Sequence, residues 1–279
     1  MSADPMISPE DAIARHAAGE ALFLDASWTF SGGPKPRADG AIPGAVAFDI
    51  DEVSDPDSGQ TNTMPSPQLF ALHMGRLGIT GGEAAIIYDD IGIFSAPRVW
   101  WMLRAMGHGD VRVLDGGLPA WIAAGGPVEG GCAPPRPRAG FSPDFDPARY
   151  AFAEQVAARL DAEDHQILDV RAAARFRGEE EEPRPGVRRG HMPGAKNLPY
   201  RALLDADQRL RPAGELAQLF AEAGIEPDKP VTASCGSGVT ACIAILALER
   251  LGLFGALYDG SWSEWGGRED LPVVRGEEA

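Results

Sequence analysis

The sequence predicts an α/β protein made of two tandem copies of one domain, each a mainly parallel sheet flanked by helices. Three observations predict this fold. Segments of the first half recur in order in the second half, brief apolar runs alternate with helical patterns, and a Gly/Pro-rich interval lies mid-chain. The recurrence is the strongest of the three. Leu24-Asp25-Ala26-Ser27 matches Leu168-Asp169-Val170-Arg171, and Gly40-Ala41-Ile42-Pro43-Gly44-Ala45 matches Gly190-His191-Met192-Pro193-Gly194-Ala195. Leu77-Gly78-Ile79 matches Ala223-Gly224-Ile225, and Ser95-Ala96 matches Thr240-Ala241. Leu114-Asp115-Gly116-Gly117 with Trp121 matches Tyr258-Asp259-Gly260-Ser261 with Trp265. The offsets run only from 144 to 150 residues, so a duplication explains all five pairs together.

Taken in order, the strands are expected at Ala21–Leu24, Ala85–Tyr88, Val111–Leu114, Gln166–Val170, Val231–Ala233 and Ala256–Tyr258. Each is a short apolar run closed by Asp, Ser or Gly, the pattern of strands buried on both faces. Helices are expected at Ala96–Met106, Glu154–Leu160, Glu215–Ala223 and Val239–Leu251. The interval GGPVEGGCAPPRPRAGFSPDFDP carries neither period and reads as a linker. The domains are therefore expected at 1–125 and 148–279, with the linker over 126–147. In such a fold, functional loops gather at the carboxyl edge of the sheet.

Composition narrows the function classes. The chain has 279 residues, 44% hydrophobic and 24% charged, enough to bury a core without staples. A net charge of −16 repels phosphate backbones, so nucleic acid is not an expected partner. The longest uninterrupted apolar run, Ala241–Leu248, is far short of the roughly 20 residues of a membrane helix. The first twenty residues resemble neither a secretory signal nor an Arg-rich presequence. Three cysteines (Cys132, Cys235 and Cys242) give an odd count without framework spacing, which points to a reducing compartment, the cytoplasm.

The chemistry is expected at Cys235-Gly-Ser-Gly-Val-Thr240. A strand ends at Ser234, Cys235 follows, and a small Gly/Ser loop leads into a helix. The two glycines let backbone N–H groups converge, and the helix N-terminus adds its positive dipole end. A thiolate at that point is stabilised, which makes Cys235 a candidate nucleophile and the N–H groups of Gly236 to Thr240 candidate anion donors. A buried structural cysteine beside a glycine turn is the plainer alternative. Cys242, seven residues later on the helix among Ala and Ile, reads as core, and Cys132 as incidental. No cysteine–histidine spacing suggests zinc. A cysteine phosphatase would need an arginine six positions after the nucleophile, where this chain has Ala241. In the first half, an offset of 145 sets Asp90 opposite Cys235. A carboxylate cannot attack sulfur, so the first half is expected to keep the fold without the chemistry.

These residues carry a resemblance. The loop at Cys235, together with Leu24-Asp-Ala-Ser-Trp28, Ser95-Ala-Pro-Arg-Val-Trp-Trp101, Leu114-Asp-Gly-Gly117, His191-Met-Pro-Gly194 and Tyr258-Asp-Gly-Ser-Trp262, resembles the tandem-rhodanese sulfurtransferases over nearly the whole chain. Within that family, the uncharged loop is similar to that of the 3-mercaptopyruvate branch. The thiosulfate branch typically carries basic residues just after the cysteine. The resemblance implies a non-catalytic first and a catalytic second rhodanese-like domain. It also implies sulfur transfer through a Cys235 persulfide, with release of pyruvate and no metal or organic cofactor.

The same resemblance implies a small-molecule sulfur donor, and an acceptor such as thioredoxin, a small thiol or cyanide. It assigns Arg175 and Arg184 to the donor's carboxylate, a pairing for which a guanidinium fork is suited. Ser237 would assist proton transfer or bind the substrate. A proton relay through an Asp and a His of the first half would fall on Asp51 and Asn62, and Asn cannot relay a proton as His can. Within the resemblance, the alternatives are a thiosulfate sulfurtransferase and a non-catalytic sulfur-binding or scaffold protein; for the arginines, the plainer alternative is that they merely balance the Glu179–Glu182 run. Arg177, Arg188 and Arg189 read as solvated surface charges.

Overall fold

The short apolar runs do form strands, and both halves arrange them identically. The computed structural model describes residues 4–29, 40–138, 140–160 and 162–276. In the first half β1 (Met6–Ile7), α1 (Pro9–Ala18), β2 (Leu22–Asp25), β3 (Val46–Ala47) and α2 (Pro67–Leu77) are followed by β4 (Ala85–Tyr88), α3 (Ala96–Ala105), β5 (Val111–Leu114) and α4 (Gly117–Ala123). In the second half β6 (Tyr150–Ala151), α5 (Ala153–Ala157), β7 (Gln166–Asp169), α6 (Ala173–Phe176) and β8 (Lys196–Asn197) come first. They are followed by α7 (Ala213–Glu222), β9 (Val231–Ser234), α8 (Ala241–Arg250), β10 (Gly255–Tyr258) and α9 (Ser261–Trp265).

Each sheet has five strands, ordered β1-β5-β4-β2-β3 and β6-β10-β9-β7-β8. Every pairing between these strands is parallel. The shared strand order is the structural counterpart of the sequence duplication. In the second sheet the chain runs from β7 outward to β8 and then returns to β9 on the other side of β7. The direction of winding therefore reverses between β7 and β9. The loops leaving the carboxyl ends of those two strands border the crevice in which open α/β sheets bind ligands.

The central helices explain the longest apolar run. Ala241–Leu248 are buried throughout, so α8 is apolar on all sides because it is enclosed on all sides. Its counterpart α3 buries Trp100, Trp101 and Arg98 completely. The core of the second half gathers Ile167, Phe176, Met192, Tyr258, Trp262 and Trp265. Among the described residues, no helix is long and apolar enough to cross a membrane.

The chain divides into two units. The first takes the residues up to Asp57, Met64–Asp146 and Ala206–Leu210. The second takes Ser58–Thr63, Pro147–Asp205 and the residues from Arg211. The Gly/Pro-rich stretch expected as a linker thus runs along the first unit. Ala41 and Glu129 exchange N–H···O bonds of 2.8 and 2.9 Å, and Ala133 N donates to Ala45 O at 2.8 Å. Arg138 N donates to Gly75 O at 2.8 Å, and Asp146 N to Ala105 O at 2.8 Å. A periodicity scan does not detect such a segment, because its backbone pairs singly with several elements rather than repeating along one ladder.

Candidate active site

The site grows from the end of β9. Its strand register aligns Ser234 with Asp169 of β7, and Cys235 follows, 2% exposed. Cys235 O accepts from Trp262 N at 3.0 Å, and Cys235 N donates to Ser261 Oγ at 3.1 Å. The same hydroxyl accepts from Gly238 N at 3.1 Å and donates to Tyr258 O at 2.9 Å. One buried hydroxyl therefore ties the start and the middle of the turn to the end of β10. Ser261 does this at φ +50°, a left-handed conformation that costs an L-residue about 1–2 kcal/mol. Its counterpart in the first unit, Gly117 at φ +56°, has no hydroxyl to offer. Ser261→Ala is expected to remove the hydrogen bonds that Cys235 N and Gly238 N make to this hydroxyl and to lower the stability of the protein by about 2 kcal/mol. A denaturant midpoint equal to that of the parent protein would show that the bridge contributes nothing.

The remaining loop donors are unspent. The N–H groups of Gly236, Ser237, Val239 and Thr240 donate to no protein group among the described residues. The first unit shows what such a loop accommodates. Register aligns Tyr88 with Asp25 just as it aligns Ser234 with Asp169, and Leu118 N donates to Asp89 O as Trp262 N does to Cys235 O. The position of Cys235 is therefore held by Asp89, not by Asp90 as the constant offset suggested. The loop from β4 to α3 is one residue longer than that from β9 to α8, which shifts the alignment inside it. The Asp89 carboxylate is fully buried and accepts from the N–H groups of Ile91, Phe94, Ser95 and Ala96 at 2.9 to 3.3 Å. Burial pushes its pKa up to about 6, against the pull of those four donors. The first unit thus fills its loop with an internal carboxylate, whereas the second leaves the equivalent space beside a thiol.

Cations border Gly236. A Cβ built on that glycine would lie 3.5 Å from Arg175 Nη2. Arg184 Nη1 donates to Ser263 Oγ at 2.8 Å. Ser263 in turn donates its N–H to Gly236 O at 3.0 Å and its hydroxyl to the same carbonyl. Arg184 Nη2 reaches Thr61 Oγ1 at 2.7 Å, a residue of the second unit that neighbours the buried Asn62. Ser237, Val239 and Thr240 are buried around the turn, and Cys242 lies in α8 with its thiol donating to Gly238 O at 3.4 Å. The second unit therefore brings together Cys235, the loop Gly236–Thr240, Arg175 and Arg184. Asp51 belongs to the first unit, where its carboxylate accepts from Trp28 Nε1 at 3.0 and 3.1 Å. Cys132 also lies there, its thiol donating to Asp25 Oδ2 at 3.3 Å.

Two arginines carry more structure than the sequence suggested. Arg188 is not a solvated charge: it donates to the carbonyls of Trp265, Gly266, Arg268 and Leu271 and so closes the end of α9. Arg177 and Arg189 do form exposed pairs, with Glu179 and Glu181. Arg171, at the end of β7, is buried. It binds Asp169 at 2.6 to 3.1 Å, Glu182 at 2.8 Å and Gly190 O at 2.7 Å, and its guanidinium lies 4.2 Å over the Trp262 ring. The repeat Leu168-Asp169-Val170-Arg171 was the signal for it, since the matching Ser27 of the first half carries no charge.

The model of the rhodanese-like domain matches the chain twice, over residues 8–124 and 152–268. The chain belongs to the rhodanese-like family. The chain is similar to 3-mercaptopyruvate sulfurtransferase of Escherichia coli strain K12, 45% identical over 235 residues that cover 84% of this chain and 83% of that protein. The human 3-mercaptopyruvate sulfurtransferase is 41% identical over 266 residues, covering 91% of this chain and 88% of that protein. Among solved structures, SseA from Escherichia coli, described as a rhodanese fold, superposes with a TM-score of 0.82 at 36% identity. That match covers 93% of this rhodanese-like chain and 99% of SseA.

Proposed function

We propose that the protein is a 3-mercaptopyruvate sulfurtransferase. It takes sulfur onto Cys235, releases pyruvate, and passes the sulfur to a thiol such as thioredoxin or a small thiol, or to cyanide. The observation that carries this reading is the arrangement at Gly236. An uncharged turn with unspent N–H donors follows the cysteine, and two guanidinium groups flank it from outside. Such a site suits a donor with one carboxylate to be gripped and a neutral sulfur to be reached.

The chemistry balances without a resident cofactor. The Cys235 thiolate attacks the thiol sulfur of 3-mercaptopyruvate and forms an S–S bond. The C–S bond breaks, its electron pair enters the pyruvate enolate, and a proton at the carbon completes pyruvate. Arg175 and Arg184 hold the donor carboxylate, and the Ser237 hydroxyl serves the proton transfer. The persulfide anion takes the N–H groups of the turn, as the Asp89 carboxylate takes them in the first unit. An acceptor thiolate then attacks the outer sulfur, and Cys235 leaves as its thiolate. The equivalent loop of the first domain holds its own carboxylate at the position of the thiol and so supplies no sulfur nucleophile.

The test is the ratio of kcat/KM for 3-mercaptopyruvate and for thiosulfate under one set of conditions. The reading requires 3-mercaptopyruvate to be preferred by at least about tenfold, the worth of one well-placed charged hydrogen bond. Preference for thiosulfate would make the protein a thiosulfate sulfurtransferase, and turnover of neither donor would leave a sulfur-binding or scaffold protein.

A further inference from the structure

We propose that Glu182 is a positioning residue that sets the donor preference of the Cys235 site by holding the Arg175 guanidinium beside Gly236. The inference rests on the sulfurtransferase reading above and names a residue to which that reading gives no role.

The Glu182 side chain is 3% exposed although it lies in an acidic run whose other members face solvent. A carboxylate this deeply buried is costly unless it is paired and hydrogen-bonded. It has two partners. One oxygen accepts from Arg171 Nη1 at 2.8 Å, and the other accepts from Arg175 Nη2, with Arg175 Nε at 3.4 Å from the first. Arg175 is the more exposed partner, its side chain 24% accessible. It sits on α6, a helix of only four residues, so the backbone alone does little to restrict a long side chain.

Glu182 supplies the restriction and links it to the nucleophile. Arg171 is fixed by Asp169, by Gly190 O and by the face of Trp262, and Trp262 N donates to Cys235 O. The position of Arg175 is thereby referred to the same framework that holds Cys235. Glu182 also offsets guanidinium charge next to the site. Removing its carboxylate should loosen the geometry and raise the positive charge together. A planar carboxylate gripped by a fork depends on geometry, and thiosulfate, a compact dianion, depends on charge. The two donors should therefore respond in opposite senses.

The experiment compares Glu182→Gln with the parent protein in steady-state kinetics on both donors. The expected result is a roughly tenfold loss of kcat/KM for 3-mercaptopyruvate, carried by KM with kcat held, while thiosulfate turnover is held or rises. In the Arg175→Gln background, Glu182→Gln should add nothing further, because Glu182 acts through Arg175. Glu182→Asp, which keeps the charge and shortens the reach, should shift the donor ratio in the same direction by less, and it carries the comparison if Glu182→Gln does not fold. A parallel fall for both donors, or additivity with Arg175→Gln, would mean that Glu182 only supports the fold. A parent protein that uses 3-mercaptopyruvate and a Glu182→Gln variant that matches it would overturn this inference and leave the sulfurtransferase reading intact. A parent protein that releases no pyruvate overturns both.

Discussion

With Cys235 replaced by serine, sulfur transfer from 3-mercaptopyruvate should fall by on the order of 10³-fold or more, with the thermal midpoint little changed. The loss is chemical. A serine hydroxyl is not ionised at neutral pH, and its attack on sulfur would form a weak S–O bond in place of a persulfide. The fold should survive because the loop is fixed through the backbone of Cys235. Its N–H reaches Ser261 Oγ, its carbonyl accepts from Trp262 N, and among the described residues its thiol makes no hydrogen bond to lose. Steady-state pyruvate release measured beside a melting curve separates the two effects. Retained turnover would move the nucleophile elsewhere, and joint loss of turnover and fold would make Cys235 a structural residue.

Arg171→Met should produce the largest change in stability. Asp169 and Glu182 have side chains 0% and 3% exposed, and Arg171 is the cation bonded to both. Removing one member of a buried ion-pair network typically costs about 3–5 kcal/mol; here Asp169 stays buried without its cation, while Glu182 keeps only Arg175. Methionine preserves bulk against Trp262 but cannot donate to Gly190 O, which loses its 2.7 Å bond. Arg189→Ala is the natural control, since Arg189 pairs with Glu181 in an exposed setting where little is gained. Denaturant midpoints for the two variants should differ widely. Equal midpoints would mean that the buried network carries no more stability than a surface pair.

The parts of the fold that were legible in the sequence share a physical cause. Ala85–Tyr88 and Val111–Leu114 form strands with the bounds expected: the first is buried at all four positions, the second at all but Arg112, and an aspartate follows each. The helix expected from Val239 begins at Ala241. Val239 and Thr240 are buried as part of the turn instead, which apolar patterning cannot distinguish from a first helical turn. The Cys235 loop was legible because a strand end, two glycines and a helix start are all local features. Arg175 and Arg184 entered by resemblance; the structure sets Arg175 beside Gly236 and bonds Arg184 to Ser263, whose hydroxyl donates to Gly236 O.

What was not legible depended on residues distant in sequence. Arg171 and Glu182 are eleven positions apart in a stretch that reads as mixed surface charge, and only the fold buries them together. Arg188 reads as solvated until α9 presents its terminal carbonyls. A constant offset points to Asp90 and not Asp89, because it cannot register a one-residue difference between two loops, whereas strand pairing does. The Gly/Pro-rich stretch after Ala124 lacked periodicity, and its pairing with Ala41, Ala45 and Gly75 has no sequence pattern of its own.

The most direct measurement is the intact mass of the wild-type protein after brief exposure to 3-mercaptopyruvate, followed by peptide mapping of any added sulfur. A persulfide mechanism at the Cys235 turn requires one added sulfur atom, located on the peptide containing Cys235, with one pyruvate released for each sulfur bound. Sulfur found on Cys132 or Cys242, or pyruvate released with no sulfur retained on the protein, would contradict it.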